Sequence, residues 1–259
     1  MKKMICLQWM FVLFLSACTA GKHVSGQATG KILKVSEDSL QLIDEARKRS
    51  VPVQLYLPKG SLKGRKVIIF SHGYGENLGG ANKGYTYITN ELASNGFFVA
   101  SIQHELASDS LLPMTGIPQI VRRTNWERGV ENIRFVLGEL KSRYPELDFT
   151  QVTLIGHSNG GDMTMLFAQK YPEMIVKAIS LDNRRVALPR TKKPMICSLR
   201  SSDQPADEGV LPSAEEQDKY EMRVIYLENT RHNDMDNDAS PEQRGEINRH
   251  LLQFLKTWN

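Results

Sequence analysis

The chain predicts an α/β fold: a mostly parallel central sheet with helices on both faces, and an antiparallel hairpin at one sheet edge. Three observations carry this. From about residue 65 onward, short apolar runs alternate with helical patterns, the order that builds parallel strands with crossover helices. One of those runs, Val152 to Ile155, ends in Gly156-His157-Ser158-Asn159-Gly160 and continues into a helical pattern with Met163, Leu166 and Phe167, a tight strand-to-helix turn. Ahead of them, Ser39 to Asp44 and Val53 to Pro58 alternate like half-buried strands around the charged turn Glu45 to Ser50, which suggests the hairpin.

The elements follow in order. Lys66 to Ser71 is a buried-strand run, Tyr85 to Asn95 is helical and stops at Gly96, and Phe97 to Ile102 is again extended. Trp126, Val130, Ile133, Leu137 and Leu140 recur at helical spacing, and Pro145 ends that helix. Asn159 to Lys170 is the helix after the Gly-x-Ser-x-Gly turn. Ile175 to Leu181, Met195 to Leu199 and Arg223 to Leu227 are further strands, with a helix at Ala214 to Tyr220. The last helix has Ser240 as N-cap, Pro241 at its first position and Gln243 as the reciprocal partner of a capping box. Ile247, Leu251, Phe254 and Trp258 line its apolar face.

The first residues carry a sorting signal. Lys2 and Lys3 precede an apolar run, Met4 to Leu15, that is too short to span a bilayer comfortably. Leu15-Ser16-Ala17-Cys18 closes it and resembles the lipobox of bacterial lipoproteins, in which the cysteine is lipidated and begins the mature chain. The expected organisation is a signal peptide over 1–17, a lipidated tether over 18–30 and one folded domain over 31–259. The protein would then be exported to the bacterial cell envelope and held at a membrane by lipid on Cys18.

Charge and cysteine content exclude several classes. Removing Lys2 and Lys3 takes the formal charge from +4 to +2, and no basic patch is interleaved with aromatics, so nucleic acid is not an expected partner. Of Cys6, Cys18 and Cys197, only the last falls in the domain. It has no partner for a disulfide, supports no cysteine metal site and reads as a small buried hydrophobe. The acids Asp234, Asp236 and Asp238 place Ala239 and Gly245 where a calcium loop needs Gly and Glu. They read as a solvated loop, with Asp234 anchoring the turn around His232. No metal and no cofactor are expected.

The chemistry centres on Ser158. A serine on this turn stands clear of the sheet at a helix N-terminus, where the partial positive charge favours an anionic intermediate. It needs a base within hydrogen-bond reach. His232, in a polar loop between the last strand and the last helix, is the candidate. His157 should point away from the serine, His72 reads as structural, and His104, just past a strand end, is the competitor.

Together, Ser71-His72-Gly73-Tyr74-Gly75, Gly156-His157-Ser158-Asn159-Gly160 and Thr230-Arg231-His232-Asn233-Asp234 resemble the α/β-hydrolase superfamily, over the chain from about residue 37 to its C-terminus. The stretch Leu42 to Val53 also looks like dienelactone-hydrolase-like and platelet-activating-factor-acetylhydrolase-like members. The resemblance implies a Ser-His-Asp triad in the chain order serine, acid, histidine, with backbone N–H groups of Tyr74 and Asn159 as the oxyanion hole. The Tyr74 side chain is then free to line the acyl pocket. For the acid, Asp203 follows its strand at the family's usual distance, Asp207 is the alternative, and Asp182, one strand earlier, is a third candidate whose neighbours Arg184 and Arg185 suggest an ion pair.

The expected reaction is hydrolysis of a small-molecule carboxylic ester with a small or medium acyl group. Glu105 to Thr124 is the longest irregular stretch and forms a minimal lid, its Leu111, Leu112, Met114, Ile117 and Ile120 either lining the pocket or packing beneath the loop. The same triad serves peptidases, thioesterases and acyltransferases, and a non-catalytic surface-binding lipoprotein on this fold is a further alternative. The oligomeric state is open.

Overall fold

The computed structural model describes residues 32–257. The signal segment, Cys18, the tether and Trp258 lie outside the described residues. Eight strands form one sheet in the order β1-β2-β4-β3-β5-β6-β7-β8. The hairpin of β1 (Val35–Asp44) and β2 (Arg49–Pro58) is antiparallel and lies at the sheet edge, with β2 also antiparallel to β4 (Phe98–Ile102). From β4 through β3 (Lys66–Ser71), β5 (Asp148–His157), β6 (Lys177–Leu181) and β7 (Met195–Arg200) to β8 (Arg223–Tyr226), every pairing is parallel.

Both hairpin strands reach further than the alternation suggests: β1 begins earlier, at Val35, paired to the end of β2, and β2 begins earlier, at Arg49, because the turn between them is tighter. Lys48 takes a positive φ of 49° there, and Asp44 accepts from the backbone N–H and Nε of Arg47. That local pairing closes the turn in four residues.

The parallel strands are buried on both faces, which is why they read as continuous apolar runs. Along β3, Val67 and Ile69 face one core layer, Ile68 and Phe70 the other. The first layer is closed by α3 (Arg123–Arg143), through Trp126, Val130 and Ile133, and by α4 (Ser158–Lys170), through Met163, Leu166 and Phe167. The second is closed by α1 (Thr86–Ser94), through Ile88 and Leu92, and by α6 (Pro241–Lys256), through Ile247, Leu251 and Phe254. Cys197 is buried in this second layer, and burial pushes its thiol up to about 12.

Capping boxes start α6, at Ser240 and Gln243, and α5 (Ala214–Tyr220), at Ser213 and Glu216. The lid is shorter than its composition suggests. Pro118 starts the single-turn helix α2 (Pro118–Val121) and α3 follows at Arg123, leaving the irregular path to end near Ile117. Of its five apolar residues, Leu112 is buried, whereas Leu111, Met114, Ile117 and Ile120 are all exposed.

Candidate active site

Parallel strands bring their C-terminal ends to one edge, and the loops that leave that edge build the site. The Gly-rich loop follows β3, Ser158 follows β5, Asp182 follows β6, and the single turn His232–Met235 lies between β8 and α6.

The turn at Ser158 requires its glycines. Ser158 has a φ of 52°, left-handed backbone that a non-glycine residue adopts at a cost. The helix behind it then runs tightly past the sheet. A Cβ on Gly156 would lie 2.3 Å from the Gly160 carbonyl oxygen, and one on Gly160 would lie 2.3 Å from the carbonyl oxygens of Ser71 and His72.

His232 Nε2 lies 2.9 Å from Ser158 Oγ. On the other side of the ring, His232 Nδ1 lies 2.5 Å from Asp182 Oδ2. A carboxylate only accepts, so Nδ1 carries the proton and Nε2 is the nitrogen open to the serine hydroxyl.

The carboxylate on the imidazole is therefore Asp182, and the expectation of Asp203 is corrected. β7 ends at the buried Arg200, whose guanidinium reaches across to Asp182 Oδ1 at 2.8 Å. Asp203 lies further along the following turn. Its Oδ1 accepts from the backbone N–H of His232 at 2.7 Å, so it holds the loop and does not face the ring. Asp207 is farther still: it pairs with Arg185 and accepts from Gln119 Nε2. The ion pair anticipated for Asp182 exists, but with Arg200 in place of Arg184 or Arg185.

Asp182 is fully buried and completely satisfied. Beyond His232 and Arg200 it accepts from Ser201 N–H at 3.0 Å and Ser201 Oγ at 2.7 Å. Burial alone would raise its carboxyl pKa. The hydrogen bond from His232, the Arg200 charge and the Ser201 donors together hold it below the ordinary aspartate value.

His157 points away from Ser158, as expected, and acts as a brace. Its Nε2 donates to the His232 carbonyl oxygen at 3.1 Å, and its Nδ1 accepts from Tyr85 Oη at 2.7 Å. Tyr85 Oη in turn accepts from Gly73 N–H at 3.1 Å. Burial, reinforced by His232 nearby, lowers the His157 pKa to about 3, so it stays neutral. One chain of hydrogen bonds thus ties the His232 loop to the Gly-rich loop. Sequence reasoning missed Tyr85, which reads there only as the start of a helix.

His72 is structural: Nδ1 donates to Gly73 O and Nε2 accepts from His104 N–H. His104 sits against Ser71 Oγ in a fully buried cluster, and burial keeps its pKa well below the ordinary value. His104 does not meet Ser158.

In the Gly-rich loop the N–H groups on either side of Tyr74 are both taken. Gly73 N–H is taken by Tyr85 and Gly75 N–H by Glu105 Oε2 at 2.9 Å. Between them, Tyr74 N–H has no acceptor among the described residues. Asn159 N–H, in the first turn of α4, is likewise open. The Asn159 side chain is locked by Trp126 Nε1 and Asn125 Oδ1. Sequence reasoning missed Glu105 as a loop anchor; nothing in its neighbourhood marks a buried carboxyl.

A cavity of about 250 Å³ opens over Ser158, with Tyr74, Leu112 and Met114 in its wall. Tyr74 Oη accepts from Leu112 N–H, which ties the lid to the Gly-rich loop. Leu111, Ile117 and Ile120 lie outside this lining. Asp234 accepts from Arg231 N–H and Gln243 Nε2, anchoring the turn that carries His232.

Fold and site together define an α/β-hydrolase-fold protein. The family described as serine aminopeptidase, S33 (Hydrolase_4) matches residues 63–182, a stretch that holds the Gly-rich loop, Ser158 and Asp182. The esterase Est22 superimposes with a TM-score of 0.62 at 13% identity, over 86% of this chain and 82% of that one. P91, a dienelactone hydrolase-like promiscuous phosphotriesterase from metagenomic libraries, gives 0.62 at 15% identity, over 85% and 97%. A bacterial heroin esterase gives 0.60 at 14% identity, over 88% and 86%. No curated protein sequence matches the chain.

Proposed function

We propose that this protein is a serine hydrolase that cleaves carboxylic esters of small or medium acyl groups, with Ser158 as nucleophile, His232 as general base and acid, and Asp182 as the orienting carboxylate. The observation that carries it is the unbroken path from Ser158 Oγ to His232 Nε2 and from His232 Nδ1 to Asp182 Oδ2. His232 takes the hydroxyl proton as Ser158 attacks the carbonyl, and the amides of Asn159 and Tyr74 receive the tetrahedral oxyanion. The imidazolium then protonates the leaving alcohol, and water repeats the cycle on the acyl-enzyme. Asp182 shares its charge with Arg200, so it stabilises the imidazolium without taking its proton.

Turnover of p-nitrophenyl acetate and butyrate by the purified chain tests this reading. Ser158→Ala should lower it by about three to six orders of magnitude; near-normal turnover would refute the assignment. The matched family's description favours a second reading, an aminopeptidase. Cleavage of aminoacyl p-nitroanilides at rates above those of the esters would select it. The exported, lipid-anchored state expected from Leu15 to Cys18 remains part of the proposal: detergent extraction should be needed for the wild type and not for Cys18→Ala.

A further inference from the structure

Part of the lining of the Ser158 cavity is cationic. Arg122, from the end of α2, and Arg184 and Arg185, from the loop after β6, all line it. Two carboxylates accompany them, Asp207 committed through both oxygens and Asp162 through one. Asp207 pairs with Arg185 and accepts from Gln119. Asp162, on α4, accepts through one oxygen from Arg185 N–H, Val186 N–H and Asn183 Nδ2.

Arg122 and Arg184 form no ion pair among the described residues. Arg122 donates only to the Pro113 carbonyl oxygen and to Met114 Sδ. The Arg184 guanidinium donates only to Gln204 Oε1. A guanidinium has five N–H donors in a planar fork suited to an oxyanion, so both keep donors to spare beside the nucleophile. All three arginines line the same cavity, and burial first, then the Arg185 charge, push the Arg122 pKa down against the opposing charges of Asp162 and Asp207. Like charges held together around a cavity are an unfavourable arrangement that a bound anion relieves.

Resting on the serine-hydrolase reading, we propose that this cavity binds an oxyanion of the substrate, a carboxylate or a phosphate, through Arg122 and Arg184, so that the preferred esters are negatively charged. A neutral acyl chain of the same length would leave both guanidinium groups without an anionic partner.

Matched methyl esters test this in a pH-stat with the full chain. Monomethyl glutarate should be hydrolysed with a kcat/KM at least tenfold above that of methyl valerate, and added sodium chloride should erode the difference. Arg122→Gln and Arg184→Gln should each cut that ratio about 10- to 100-fold, mainly through KM, with part restored in the Lys variants. Inhibition by glutarate but not inorganic phosphate marks a carboxylate site, and the converse marks a phosphate site. A wild-type ratio near one, or a ratio unmoved by both substitutions, overturns the proposal. Titration of monomethyl glutarate into Ser158→Ala protein decides the anion site without turnover: binding weakened by Arg184→Gln upholds it, and no binding overturns it. Failure of a fluorophosphonate to label Ser158 would instead sink the hydrolase reading on which it rests.

Discussion

At the scale of single residues, the site depends on one buried carboxylate with four donors around it. Asp182 is 0% and Arg200 2% exposed at the side chain. Such a pair contributes little by existing, because desolvation offsets attraction, but removing one partner leaves a buried charge. Arg200→Met should therefore cost about 3–5 kcal/mol in urea unfolding; a loss under about 1 kcal/mol would mean that His232 and Ser201 satisfy the carboxylate alone. This is also where the sequence was least legible. Ser158 and Asn159 sit on a turn whose backbone geometry is local, and Tyr74 is picked out by the resemblance of the Gly-rich loop. The carboxylate that meets His232 depends on which of two neighbouring loops reaches the imidazole, and β6 and β7 are both followed within three residues by an aspartate. What separates them is the buried Arg200, paired across the sheet to Asp182, and an arginine at a strand end carries no mark of burial in one dimension.

At the scale of elements, two devices aim the chemistry. The first is the close passage of α4 over β3 and β5. Gly160→Ala would drive a methyl group into the carbonyl oxygens of Ser71 and His72, so the helix must shift and carry Ser158 with it. A stability loss of about 2–4 kcal/mol is expected, with loss of turnover in whatever folds. An active, fully stable variant would show that the passage has slack. The second is the link from His232 through His157 and Tyr85 to Gly73. Tyr85→Phe keeps the ring and removes the hydroxyl bridge, so kcat should fall about tenfold with KM little changed. An unchanged kcat would reduce Tyr85 to packing. Strand and helix periods made most elements legible. The hairpin turn and the lid were misjudged in extent because Asp44 with Arg47, and Pro118, act locally against the average pattern.

At the scale of the whole molecule, the fold buries three neutral histidines around the sheet's C-terminal edge: His72, His104 and His157. Burial lowers His72 to about 4, from an ordinary value near 6.5, and His157 to about 3. A lowered histidine pKa means that the unfolded chain binds protons first. Stability is therefore complete above about pH 6.5 and is lost as pH falls toward the folded values, at up to about 1.4 kcal/mol per pH unit for each histidine. The buried carboxyls of Glu105 and Asp162 are raised by burial and act in the opposite sense, offsetting part of the loss. Urea unfolding at pH 7.0 and pH 5.5 should differ by about 2–4 kcal/mol. Equal stability at the two values would mean that these histidines protonate inside the fold.

The central claim is that Ser158, His232 and Asp182 work as one unit, and the rate of fluorophosphonate attachment, mapped by mass spectrometry, tests it most directly. Wild-type protein should be labelled on Ser158. Asp182→Asn should slow that labelling by about 10⁴-fold, while Asp203→Asn, which keeps an amide oxygen for the His232 N–H and loses the charge beside Arg231, should slow it less than about tenfold. Slow labelling of Asp203→Asn with near-normal labelling of Asp182→Asn would contradict the account and return the acid to the loop after β7.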